Sequence, residues 1–340
     1  MAGGSLRRLL LAASLVCAVV LLSGCGRGNG QSTLSPESDQ SRKIVHLWWG
    51  MLAAAGVVFG GAVALLVIAW VRRNREGLPG AGKNDNVATG LVVAFGIFVP
   101  VVCLAILFFV ADIGVVRATD APQPGQTKLT IDVVGHQWFW EVRYPGTRAV
   151  TANEIHIPVK TPVKVVATTA DVIHSFWVPE LNKKIDTIPG QNNSVELYAD
   201  KVGFYRGQCA EFCGLQHAHM AMAVYADPPA KFRAWLANMS RPLPQPANPQ
   251  AKAGEQDFLS LQCASCHTLR GTTANGRIGP DLTHLATRRT LAALTITNTR
   301  TDLTNWIRDP QHVKPGNKMP GLNLTGRQLQ QLVTFLEGLR

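Results

Sequence analysis

The segment Gly207 to Met220, G-Q-C-A-E-F-C-G-L-Q-H-A-H-M, gathers Cys209, Cys213, His217, His219 and Met220 into fourteen residues. Two cysteines this close in an oxidising compartment form a disulfide by default. Thiolate, imidazole and thioether together are instead the soft-leaning donor set that favours copper. A mononuclear blue site takes one thiolate; two thiolates on one loop suit two coppers bridged by both sulfurs, each capped by one histidine, with weak axial donors completing the set. That arrangement requires a second histidine from another segment. Asp171-Val-Ile-His174-Ser-Phe-Trp-Val-Pro supplies His174, expected at the end of a β-run and before a proline.

A second constellation, L-Q-C-A-S-C-H-T, contains Cys263-x-x-Cys266-His267, the arrangement that attaches c-type haem. Thiols at i and i+3 can each bond one vinyl-derived carbon, and the adjacent imidazole can reach the iron. The other axial ligand should be Met or His. Met319, in P-G-N-K-M-P-G, is the only methionine beyond Met239 and sits in a Pro/Gly-rich loop; His284 and His312 are the alternatives. This part resembles class I cytochromes c, where such a loop gives the distal Met and an I-G-P-D-L segment, here Ile278 to Leu282, packs at the haem edge.

These groups need export and scaffolding. The chain has 340 residues, more than one core usually organises. Its start pairs Arg7 and Arg8 with a short apolar run and Leu22-Ser23-Gly24-Cys25, a secretory pattern of lipoprotein type with Cys25 as the lipidated residue. Two longer apolar runs, Ile44 to Val71 and Val87 to Val110, reach the length a bilayer needs. Arg72, Arg73, Arg75 and Lys83 between them place that loop in the cytoplasm and everything after Arg117 outside. The net charge of +11 therefore reads as a docking face or as solubility, and nucleic acid is excluded as a partner. Of seven cysteines, Cys17 falls in the leader, Cys25 at the lipid site and Cys103 in the second span, which leaves Cys209, Cys213, Cys263 and Cys266 for chemistry.

Between Lys128 and Ala226, short β-prone runs separated by Pro, Gly or Asn-Asn predict an antiparallel sandwich or small barrel. The clearest are K-L-T-I-D-V-V-G, E-I-H-I-P-V, P-V-K-V-V-A-T-T, N-S-V-E-L-Y-A and A-M-A-V-Y-A. Asp227 opens a short helix in the sequence reading. A Pro-rich stretch follows; extended at about 3.1 Å per residue, it could hold two domains roughly 30 Å apart or let one swing beside the other. Helical periodicity returns at Gly254 to Gln262 and Arg327 to Leu339. The expected organisation is a leader at 1–24, an outward segment at 25–43, a transmembrane hairpin at 44–116, a copper domain at 117–239, a linker at 240–250 and a haem domain at 251–340.

G-H-Q-W-F-W (Gly135 to Trp140), V-I-H-S-F-W-V-P and C-A-E-F-C-G-L-Q-H-A-H-M, in this order, resemble subunit II of haem–copper cytochrome c oxidase; the C-terminal module makes the chain similar to the fused, caa-type version. The resemblance implies a two-helix hairpin, a cupredoxin-like Greek-key sandwich and an all-α class I cytochrome c domain. It implies dinuclear copper A bridged by Cys209 and Cys213, with His174 and Met220 serving one copper, and His217 with the Glu211 carbonyl the other. It also implies a Mg²⁺ held through the Glu211 carboxylate, electron input at an exposed Trp138, and one haem c on Cys263, Cys266, His267 and Met319. Trp138, Phe139 and Trp140 could equally be strand residues packing the sandwich. Partners implied are subunits I and III, a cytochrome c or other donor, and the bacterial inner membrane. One departure stands out: Gly90 to Pro100 carries no acid where many members have a Glu, and Asp85 is a weak substitute for proton uptake. The competing functions are the copper subunit of a nitric oxide reductase and a membrane-tethered electron carrier with no fixed catalytic partner.

Overall fold

The computed structural model describes residues 30–72, 85–122, 125–127 and 129–340; the expected leader, Cys25, Arg73, Arg75 and Lys83 lie outside them. Two helical stretches are long and apolar enough to cross a membrane, Asp39–Val71 and Thr89–Thr119. The first belongs to α1 (Asp39–Arg72). The second runs through α2 (Asp85–Val93), a π-helical turn (Ala94–Phe98), α3 (Val99–Phe109) and a second π-helical stretch (Val110–Val116). Phe59, Leu66, Val92 and Phe95 stand exposed on these stretches, a surface suited to lipid. Pro100 follows the first π turn. Proline lacks an N–H and collides with the carbonyl four residues back, and a widened turn accommodates both defects. α1 starts before the apolar run because its first turn is fastened to the β-domain. The Glu37 N–H donates to the Glu180 carbonyl at 2.9 Å, Ser41 Oγ to the same carbonyl at 2.8 Å, and Arg42 pairs with Asp200.

The β-domain has ten strands: β1 (Leu129–His136), β2 (Phe139–Arg143), β3 (Val150–Ala152), β4 (Glu154–Pro158), β5 (Val163–Thr169), β6 (His174–Trp177), β7 (Ile185–Thr187), β8 (Asn193–Leu197), β9 (Gly203–Cys209) and β10 (Ala221–Asp227). They form two sheets, ordered β3-β2-β1-β5-β8 and β4-β10-β9-β6-β7. The predicted sandwich is present, but it is not purely antiparallel: β1 pairs with β5, and β10 with β4, in parallel. The chain changes sheets between β3 and β4 at Asn153, whose φ of 61° is left-handed and whose side-chain carbonyl accepts from the Trp140 N–H at 2.8 Å. Asn tolerates that conformation because its short polar side chain can bond locally. Alternation in β1 and β5 puts Ile131, Val133, Val163, Val165 and Ala167 in the core. β10 is buried on both faces. Asp227 does not cap the helix that follows, α4 (Pro229–Met239), which starts at Pro228 without a side-chain cap. Asp227 ends β10 instead, with His156 Nδ1 at 2.7 Å and Lys231 Nζ at 2.7 Å.

The C-terminal domain contains α5 (Pro249–Ser260), α6 (Cys263–Cys266), a two-stranded ladder of β11 (Thr290–Leu291) and β12 (Ile296–Thr297), α7 (Arg300–Arg308), α8 (Pro310–Val313) and α9 (Gly326–Glu337). Asn248, Thr299 and Thr325 cap α5, α7 and α9 through side-chain oxygens. α7 lay in the stretch expected to be loop-rich. α5 crosses α9 at Gly254, where a Cβ would lie 2.1 Å from the Gln331 carbonyl oxygen. Backbone cannot yield as a side-chain tip does, so Gly254→Ala should destabilise this domain by about 1–3 kcal/mol or more. Denaturant unfolding followed by haem absorption checks it; an unchanged midpoint would contradict the close crossing.

The Pro-rich linker takes the side-by-side option. The Glu154 carboxylate of the β-domain accepts the N–H groups of Arg289 at 2.7 Å and Thr290 at 3.2 Å, the Arg289 guanidinium lies 4.4 Å from the Tyr225 ring centre, and Arg270 donates to the carbonyls of Arg148 and Met239.

Candidate metal centres

β9 ends at Cys209, Cys213 lies in the loop beyond it, His217 in a single 3₁₀ turn, and Met220 just before β10. His174 opens β6 rather than closing a strand as expected. Because β6 pairs with β9, with Phe176 opposite Cys209, the histidine reaches the same end of the sheet. The two sulfurs are 3.8 Å apart and both thiols are free. His174 Nδ1 is 3.9 Å from the Cys209 sulfur, which also lies 3.2 Å from the Glu211 carbonyl oxygen. His217 Nδ1 and Met220 Sδ are 3.6 and 3.8 Å from the Cys213 sulfur. Every copper ligand expected from the sequence is thus gathered in one cluster, with His174, Cys209, Cys213 and Met220 buried and Glu211 and His217 half-buried, His219 exposed beside it and Met222 in the core.

The electrostatics suit a cation. Although burial opposes ionisation at Cys209, hydrogen bonding with Cys213 and His174 pulls its thiol far below the usual range. Cys213 is then pushed up, chiefly by the neighbouring Cys209 sulfur. Both sulfurs could then serve as thiolates to a metal cation, whose charge would relieve that repulsion. Asp171 Oδ1 lies 2.9 Å from His174 Nε2, so the ring presents Nδ1 to the sulfurs. Burial alone would raise the Asp171 carboxyl, but bonds from His174 and from the N–H groups of Gln137 and Val172 hold it well below the carboxylate range. Sequence reading missed Asp171, although it stands three residues before His174. It also missed the reason for Gly135, where a Cβ would come within 2.7 Å of His174 Cδ2.

The C-terminal domain holds a cavity of about 430 Å³ whose wall includes Cys263, Cys266, His267 and Met319, with Leu282, Leu303 and Leu332 among its apolar residues. His267 Nδ1 is 2.8 Å from the Pro280 carbonyl, which leaves Nε2 free, and burial lowers the imidazole pKa and keeps it neutral. Neither His284 nor His312 belongs to the wall. His284 is held 3.2 Å from the carbonyls of both Arg241 and Arg340. Asn317 Oδ1 accepts from the Met319 N–H at 2.7 Å, and Gln311 Nε2 donates to the Met319 carbonyl at 2.8 Å. Ile278, 60% exposed, stands at the rim. The buried Arg288, also in the wall, has an unpartnered Nε. A haem, apolar with anionic carboxylates at one edge, fits this wall and that orphaned donor.

The cytochrome c oxidase subunit II periplasmic domain model matches residues 147–226, and the cytochrome c model matches residues 251–340. Cytochrome c oxidase subunit 2 of Alkalihalophilus pseudofirmus is 31% identical over 328 residues, 94% of each chain. The chain belongs to the cytochrome c oxidase subunit 2 family. The Bacillus subtilis subunit 2 is 28% identical over 352 residues, 98% of each chain. A solved periplasmic domain of subunit II from Bradyrhizobium japonicum is 33% identical over 35% of this chain and 96% of that one, with a TM-score of 0.33.

As a subunit 2 with a cytochrome c domain, the chain joins its two candidate centres at Trp138. This residue lies between β1 and β2, outside both strands, whereas Phe139 and Trp140 are buried strand residues. Its Nε1–H donates to the Cys213 carbonyl at 2.9 Å, and the indole is part of the haem-cavity wall. Trp138 is half-buried rather than exposed as expected, because the fused haem domain covers it.

Proposed function

We propose that this subunit 2 is the electron-input subunit of a haem–copper terminal oxidase, carrying electrons from haem c to dinuclear copper A and on to subunit I, where O₂ is reduced to water. One observation carries the reading: Trp138 borders the cavity of the haem-attachment residues and is hydrogen-bonded to the backbone of Cys213. When bound, the iron and the copper pair supply one-electron redox chemistry. Cys263 and Cys266 would hold the porphyrin, and His267 and Met319 would ligate the iron, a pair that suits electron transfer. Arg288 would receive a haem carboxylate. Cys209 and Cys213 would offer thiolates to both coppers, His174 and Met220 would serve one, and His217 with the Glu211 carbonyl the other, while Asp171 fixes the His174 tautomer. The Glu211 carboxylate, near Lys184 Nζ at 3.8 Å and partly exposed, would help hold a Mg²⁺ at the subunit I face. Subunit III completes the complex, and a cytochrome c or another donor delivers electrons at the rim near Ile278. The hairpin spans the inner membrane with both redox domains on the periplasmic side, and Cys25 carries a lipid.

Trp138→Phe keeps a ring but removes the indole N–H that reaches Cys213. Haem-to-copper transfer should slow roughly 10- to 100-fold, as when a positioned group between reacting partners is lost. Flash photoreduction of the purified chain reads the rate. Unchanged transfer with intact haem and copper spectra would exclude Trp138 from the route.

A further inference from the structure

We infer that Lys314 is the positioning residue that seats the haem domain on the copper domain, its ammonium joining the carbonyls of Trp138 and His219 to that of Ala292 across the domain boundary. Lys314 follows α8 in the loop that leads to Met319, and it is 3% exposed. A buried ammonium ordinarily takes a carboxylate. The recorded partners of this one are carbonyl oxygens: Trp138 at 3.0 Å, His219 at 2.8 Å and Ala292 at 3.4 Å. An ammonium has three donors and no acceptor, so the socket matches it in number. Two of the carbonyls belong to the copper domain and one to the haem domain.

The surrounding contacts run the same way. The Pro315 carbonyl accepts from Gln216 of the copper loop. Gly316, at a φ of 80°, lies against Leu215, whose Cδ1 would be 2.8 Å from a Cβ placed there. Lys318 and Asp171 are 3.5 Å apart, but both are partly exposed and their pairing is weak. Lys314 is the buried charge in this strip, beside the buried amide of Gln216. On the haem side, Ala292, Ala293 and Leu294 are consecutive residues with left-handed backbone, φ 52°, 57° and 65°. Residues with a Cβ keep that conformation only where their surroundings over-determine it, and the ammonium on the Ala292 carbonyl is one such restraint. The other end of the socket is the carbonyl of Trp138, whose indole N–H holds Cys213. A single cation therefore sets the haem cavity in register with the residue that connects it to the copper ligands.

The consequence for electron transfer rests on the proposed role of Trp138; the docking itself is tested separately. In the full chain loaded with both cofactors, Lys314→Met keeps an apolar stem and removes every donor. Losing hydrogen bonds to a charged group should raise the undocked population, and with it elastase cleavage after Ala247 in the linker, by roughly 10- to 100-fold. Haem-to-copper transfer should slow while the visible bands of both centres stay in place, and Lys314→Arg should restore part of the docking. Cleavage at the wild-type rate in a spectrally intact variant overturns the inference. Faster cleavage with unchanged transfer supports the docking role and counts against Trp138 as the route. If Lys314→Met fails to fold, acetylation of the wild-type chain decides: Lys314 should label at least about tenfold more slowly than Lys318 if the socket stays closed, and equal labelling overturns the proposal.

Discussion

Cys209→Ser should take the copper content from two per haem to less than one, while covalently bound haem stays at one per chain. The Cys209 sulfur is the point where four parts of the site meet: Cys213 at 3.8 Å, His174 at 3.9 Å, the Glu211 carbonyl at 3.2 Å, and the end of β9. A serine hydroxyl does not ionise near neutral pH and is a hard donor, so the variant loses both the bridging charge and the softness that select copper. Changes outside the ligand shell of a metal typically cost 10- to 100-fold in affinity, and losing a bridging ligand should exceed that. The fold should survive, because serine nearly matches cysteine in size and leaves the core of Ile131, Val133, Trp140 and Phe176 intact. Metal analysis and absorption spectroscopy of the purified variant check both halves. Copper retained at two per haem would mean that the sulfurs do not bridge.

Gly279→Ala should disrupt the iron ligation in the other domain without touching the copper. A Cβ at this position would lie 2.4 Å from His267 Cε1 and 2.7 Å from Nδ1. The ring cannot retreat freely, since the Pro280 carbonyl holds Nδ1 at 2.8 Å, and Gly279 is itself tied through its N–H to the Cys266 carbonyl at 2.8 Å. Either the imidazole tilts off its axis or that hydrogen bond breaks, at a combined cost of about 2–4 kcal/mol from overpacking and the lost bond. Haem still attached through Cys263 and Cys266 but shifted from low-spin to high-spin absorption is the expected result. A wild-type spectrum would show that the ring does not sit where the structure has it.

The residues that carry chemistry were legible because their types and spacings are local. Cys263-x-x-Cys266-His267 lies in one turn, and Cys209, Cys213, His217 and Met220 lie in one loop. Strands with clean alternation, such as β1 and β5, were legible for the same reason, and so was the α5 and α9 periodicity. Short strands were not: β2, β3, β6, β7 and β9 have three to seven residues each, and their pairing partners, more than their own pattern, make them strands. His174 was therefore singled out from its sequence yet placed at the wrong end of its strand. Asp227 showed a helix-start signal locally, but tertiary pairing with His156 claimed its carboxylate. Gly135, Gly279, Arg288 and Lys314 take their meaning from groups distant in sequence, and Lys314 above all, since two of its three partners lie in another domain. The glycines in G-H-Q-W and I-G-P-D-L were the one available hint that an imidazole packs closely against backbone.

One-electron flash reduction of the purified full chain, with no catalytic subunit present, tests the central claim most directly. Electron transfer within one molecule predicts that reduced haem absorption decays as the copper band bleaches, electron for electron, in a first-order process whose rate does not depend on protein concentration. A haem that stays reduced beside oxidised copper, or a decay whose rate rises with protein concentration, would contradict a route from the haem cavity through Trp138 to Cys213.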